Sequence, residues 1–226
     1  MPHAILNGAI MEKNGNITYQ KVYWLFLVGS LIGLVLEGFW CLVKQGHWES
    51  HVNFIWEPLC GIYGVGAVGC YLGAVFLKTH FWIVKFITFS FIGTVVELIA
   101  GLVLEYGLYM RAWDYSGTFM NVKGHVNLKM TILWGILGIV FSLLLPTIEN
   151  IFGKMKGEGW KIACIGLSVL LVTDIIATSM CLIRWSSRHR GIPACNRIEQ
   201  MIDHTYPDEV MQKRFCEWFF IDDTKK

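Results

Sequence analysis

Five apolar runs constrain this chain more than anything else in it. They lie at approximately 22–44, 55–77, 81–106, 128–150 and 160–184. Each approaches the roughly 20 residues that a helix needs to cross a bilayer. Lipid offers the backbone no hydrogen-bond partner, so such runs must be helices. The predicted fold is an all-α integral membrane bundle with about five transmembrane helices. Only 16% of the residues are charged, where a soluble domain carries about a quarter. The first run is too long for a cleavable signal and has no small-residue cleavage site after it, so it is expected to stay as the first span.

Three segments follow from this pattern: a flexible N-terminal segment 1–21, a bundle 22–184, and a polar, partly helical tail 185–226. Pro193 and Pro207 are natural helix starts in the tail, which is expected on the membrane surface or against the bundle. The net charge of +2 and the scattered basic residues argue against nucleic acid as a partner. Seven cysteines without a C-x-x-C pair read as free thiols, and no metal or cofactor is expected.

The polar residues inside the spans are more particular. Gly29, Gly33, Glu37 and Cys41 recur at steps of four in the first span, as do Gly93, Glu97, Gly101 and Glu105 in the third. Each set makes one slanting stripe on its helix. Small residues let helices approach closely in lipid, so the acids are expected to face the bundle interior. The run "GIYGVGAVG" looks too rich in glycine for a stiff helix, and a local break is expected there. Following the spans in order places Glu37, Tyr63, Glu105, Lys129 and Asp174 toward the same side of the bilayer. Glu149 is the exception.

The stretch "LEYGLYMRAWDYSGTFMNVKGH", residues 104–125, falls on that side too. It is expected to fold as a lid over a polar cavity, with Trp113, Asp114, Tyr115, Asn121 and Lys129 as lid or gate. Phe119 is expected at the interface or in the cavity mouth. Glu37, Tyr63, Glu97, Glu105 and Asp174 are the predicted binding residues for an ion or small solute, because intramembrane ionisable groups mark function. The alternative is a structural network that holds the helices in register. "HWESH" places His47, Glu49 and His51 close together. A zincin needs H-E-x-x-H on a helix, and here the glutamate is displaced by one in an expected loop.

Several stretches carry a resemblance. They are "SLIGLVLE", "EPLCGIYGVGA", "VVELIAGLVLEYGLYMRAWDYSGTFMNVKGHV", "LWGILGIVFSLLLPTIEN" and "VTDIIATS". Together the chain resembles the CmpB-like family of type IV ABC-transporter membrane proteins. The resemblance implies a permease role, in the bacterial cytoplasmic membrane. It departs at "HVNFIWEPLCG", where the family pattern resembles N-R-G-F-L-x-G-P-x-x-P.

No G-x-x-x-x-G-K-[ST] motif occurs, so any ATP hydrolysis must come from a separate ATPase subunit. No G-x-S-x-G nucleophile elbow occurs either. The lipid bilayer and a homo-oligomer are the other expected partners. Two other functional readings stand beside transport. One is an intramembrane enzyme acting on a lipid-like substrate; the other is an accessory protein that binds a partner.

Overall fold

The computed structural model describes residues 17–221. Four helices are long and apolar enough to span a membrane: α1 (Tyr19–Gln45), α3 (Trp82–Leu102), α4 (Leu128–Lys154) and α5 (Glu158–His189). Helix α3 runs on through a π turn, Val103–Gly107. A shorter helix, α2 (Gly61–Phe76), lies between α1 and α3. The tail adds α6 (Arg197–Thr205) and α7 (Asp208–Arg214). Its strand β2 (Phe219–Phe220) pairs antiparallel with β1 (Met110–Arg111).

Local chemistry fixes the ends. The Thr18 side chain accepts the Lys21 N–H at the start of α1, and Gly46, at φ 80°, turns the chain out of it. Asn127 caps α4 in the same way, accepting from Met130 N. Side-chain acceptors of this kind satisfy N–H groups that a helix start leaves free.

Glycine decides how closely α1–α4 pack. A Cβ at Gly33 would collide with the Tyr63 ring, and one at Gly93 with Trp134. The glycine stripes therefore receive large side chains from neighbouring helices. Tyr71, Phe89 and Leu145 fill one core of this group. At that end Lys21 meets Glu149 at 2.6 Å, and Tyr71 donates to Glu149 at 2.7 Å. Glu149 thus sits apart from the other membrane acids, as expected.

Two expectations about the second span need correction. The glycine-rich run is an unbroken helix, because its glycines are where α2 packs against other helices: Gly64 on Phe26 and Ser30 of α1, Gly66 on Trp134 of α4. The helix is also 16 residues long rather than 23, only about 24 Å. Residues 51–60 are not helical; they run between α1 and α5 to reach it. Irregular backbone at such a place requires partners within the protein, and several come from side chains of α5 and the tail. Asp174 accepts from Trp56 N at 3.2 Å and Glu57 N at 2.7 Å. Thr178 accepts from Ile55 N, and the Ser30 carbonyl from Cys60 N. From the tail, Arg214 donates to the carbonyls of Phe54 and Glu57.

The tail lies against the end of α5. Met110, Cys181, Trp185, Met211, Phe215 and Phe220 form a shared core. Arg184 grips Asp203 with two hydrogen bonds. Arg188 bonds both Asp203 and Asp208. Of the two expected placements, the tail takes the one against the bundle.

Candidate functional site

A cavity of about 260 Å³ opens among the ends of α1, α2, α3 and α4. Glu37 comes from α1, Tyr63 from α2, Glu97 from α3 and Trp134 from α4. The lid supplies Trp113 and Tyr115, the 46–60 connection His51, and the tail Glu217. No lysine or arginine is among the lining residues described.

Glu37 is well partnered. Tyr63 donates its hydroxyl to Glu37 Oε1, and His51 Nδ1 lies 3.5 Å from Glu37 Oε2. The bond to Glu37, aided by nearby Glu217 and Glu49, outweighs burial and pushes the His51 imidazole up to about 9. Glu97 differs. It is 4% exposed, and its Oε2 has no hydrogen-bond partner. Trp134 Nε1 is the donor that approaches this carboxyl, but it makes no hydrogen bond of good geometry. A buried orphan acceptor costs about 1–3 kcal/mol, so each such group requires an explanation.

The lid is held by its own short-range bonds. Trp113 Nε1 donates to the His125 carbonyl at 2.8 Å. Asp114 accepts from Ser116 N at 2.9 Å and from Arg111 at 3.0 Å. Partial burial works against ionisation of Asp114, but Ser116 and Arg111 together hold its carboxyl below the usual range. Asn121 donates to the carbonyls of Ser116 and Thr118 and accepts from Gly124 N. Gly124 lies at φ 77°, as this tight turn requires. Burial, then the negative charges of Glu97 and Glu37, pushes the Tyr115 phenol up.

The expected single convergence of acids divides into three places. Glu37, Tyr63 and Glu97 line the cavity, with Trp113 and Tyr115 over it. Glu105 does not line it. It pairs with Arg111 at 2.6 Å and with His125 at 3.1 Å, because the π turn rotates it toward the base of the lid. Asp174 does not line it either. It is fully buried and accepts the 51–60 backbone and the Thr178 hydroxyl. Asp114 and Asn121 bond within the lid. Lys129 is exposed and borders a separate surface depression together with Phe119. Phe119 is itself exposed and does not plug the mouth.

Reading the sequence misses Trp134 and Glu217 and assigns no cavity role to His51 or Cys41, although His51 stands out in "HWESH" and Cys41 on the first-span stripe. A signal for Trp134 existed: Gly66 and Gly93 both leave room for its ring. Glu217 has no local signal, and nothing within "HWESH" places His51 at the cavity, since distant turns bring both there.

The family described as "Putative ABC-transporter type IV" matches residues 24–179. Neither a curated protein nor a solved structure matches the chain.

Proposed function

The chain belongs to that family of membrane proteins, and from this we propose that it is the membrane-spanning permease component of a transport system. On this reading the Glu37–Tyr63–Glu97 cavity is its solute site, and the 104–125 segment is the lid. The observation that carries the site is Glu97, a buried carboxylate with an unpartnered oxygen in a cavity wall.

The wall chemistry favours a small cation. Glu37 is balanced by His51, so Glu97 and Glu217 supply the remaining carboxyl groups, and Trp134 and Tyr115 supply aromatic rings of the kind that attract cations. The volume is just under the range of about 300–1,000 Å³ typical of ligand pockets, which favours an ion or a compact solute. Glu105 and Asp174 take structural roles in this reading. Energy would come from a separate ATPase subunit, since the chain has no P-loop. The large apolar side chains on the outer face of α5, among them Ile165, Val169 and Ile176, suit lipid or a second copy. The family relation favours the bacterial cytoplasmic membrane as the location.

Equilibrium binding of radiolabelled guanidinium, methylammonium and rubidium to the purified protein in nanodiscs tests the site. At least one probe should bind, with affinity reduced at least tenfold by Glu97→Gln and little changed by Glu105→Gln. Identical binding of every probe by wild-type and Glu97→Gln proteins would remove Glu97 from the site.

A further inference from the structure

His51 makes two different kinds of contact with its two nitrogens. Nδ1 faces Glu37 at 3.5 Å. Nε2 faces both the Cys41 thiol, at 3.4 Å, and the Glu49 carboxylate, also at 3.4 Å. One nitrogen carries at most one proton. It cannot donate well to both groups, and with no proton it presents a lone pair to a carboxylate. A cation among the three atoms satisfies all of them.

The geometry points to a binding site for one divalent transition-metal ion of the zinc class, formed by Cys41, Glu49 and His51. The three ligand atoms lie within 4.8 Å of one another. Around a tetrahedral zinc ion with bonds of about 2.3 Å to sulfur and 2.0–2.1 Å to nitrogen or oxygen, ligand atoms stand about 3.4–3.6 Å apart. Both Nε2 distances are already near that spacing. A thiolate, an imidazole and a carboxylate form a set that selects zinc-like ions over magnesium or calcium, which take oxygen.

The surroundings match such a site. Metal-bound histidines commonly give their other N–H to a carboxylate, which fixes ring and tautomer. Glu37 is in that position, and it is anchored in turn by Tyr63. Cys41 is 2% exposed, and α1 fixes it one turn beyond Glu37. Cys216 and Glu217 of the tail form a separate group with His51 that does not include Cys41 or Glu49, so water is left for the fourth position. Metal binding then ties α1 to the 46–60 connection at the cavity mouth. On binding, the Cys41 S–H proton and the His51 Nε2–H proton leave to solvent as the sulfur–metal and nitrogen–metal bonds form. A simple thiol nucleophile with a histidine base fits less well, because Glu49 competes for the same nitrogen and opposes thiolate formation.

This site does not depend on the transport reading, and its test has no transport readout. Purified full-length protein is stripped with chelator and titrated with Co²⁺, followed by absorption and by metal analysis after gel filtration. One equivalent should bind, with a thiolate-to-cobalt charge-transfer band that Zn²⁺ displaces. Cys41→Ser should abolish the band, and His51→Gln should weaken binding more than tenfold. Glu37→Gln, which removes only the carboxylate behind His51, should weaken it about 10–100-fold. Cys195→Ser, at an exposed thiol outside the cluster, should change nothing. If Cys41→Ser fails to fold, His51→Gln and Glu49→Gln decide by the same loss of affinity. No stoichiometric binding, or binding unchanged in His51→Gln and Glu49→Gln, overturns the site.

Discussion

Glu97 and Glu105 stand two turns apart on one stripe, and their surroundings are opposite. Glu105 meets a guanidinium and an imidazole at the base of the lid. Glu97 faces a cavity with an orphan oxygen. Asp174 belongs with Glu105, since backbone N–H groups and a hydroxyl occupy it. Carboxylates in a membrane therefore divide by their partners. A fully partnered acid holds structure, and a partly partnered one is available to a ligand.

That division can be broken by mutation. The largest expected loss of stability is at Asp174. Asp174→Ala leaves two part-buried N–H groups without their acceptor, at up to about 1–3 kcal/mol each. Thermal unfolding in detergent should fall well below wild type, and Asp174→Asn, which keeps one oxygen, should recover part of it. A wild-type transition in Asp174→Ala would mean the 51–60 segment is held by something else.

Arg111→Ala should cost less, about 1–2 kcal/mol, because the pair is partly exposed and His125 still faces Glu105. Limited proteolysis within 113–123 should accelerate in that variant. Glu97→Gln should have the smallest effect on stability, within about 0.5 kcal/mol, while affecting cation binding most. A Glu97→Gln protein that unfolds as readily as Asp174→Ala would place Glu97 among the structural acids.

The tail provides a pH test of the same principle. The hydrogen bond from Arg184, helped by Arg188, holds the Asp203 carboxyl below its ordinary value although burial opposes this. A depressed carboxylate adds stability above its unfolded pKa and loses it as pH falls through the folded one. Tail docking should thus persist at pH 5 and weaken only below about pH 4. Hydrogen exchange across 197–214 measures this, and Asp203→Asn should reduce the pH dependence, leaving the part carried by Asp208 and Glu199.

Much of the bundle was legible because span length and glycine spacing are local properties of sequence. Gly33 and Gly93 announced close packing, and it is found at both. The short α2 was not legible. Hydropathy counts "FIWEPLC" as part of an apolar run, but its backbone is non-helical and is held by Asp174, 117 residues from Glu57, which accepts its N–H groups. The cavity was half legible. Stripe geometry put Glu37 and Glu97 inside, but it could not foresee the π turn that redirects Glu105. His51 and Glu217 reach the cavity through loops whose paths depend on tertiary bonds.

Labelling with dicyclohexylcarbodiimide tests the central claim most directly, because this reagent attacks carboxyl groups that are accessible from an apolar phase and free of a cationic partner. The protein in nanodiscs would be labelled and mapped by mass spectrometry, with and without saturating guanidinium or rubidium. The account predicts modification at Glu97, little at Glu105 or Asp174, and protection of Glu97 by a bound cation. Equal labelling of the three acids, or an unreactive Glu97 beside a labelled Glu105, would contradict it.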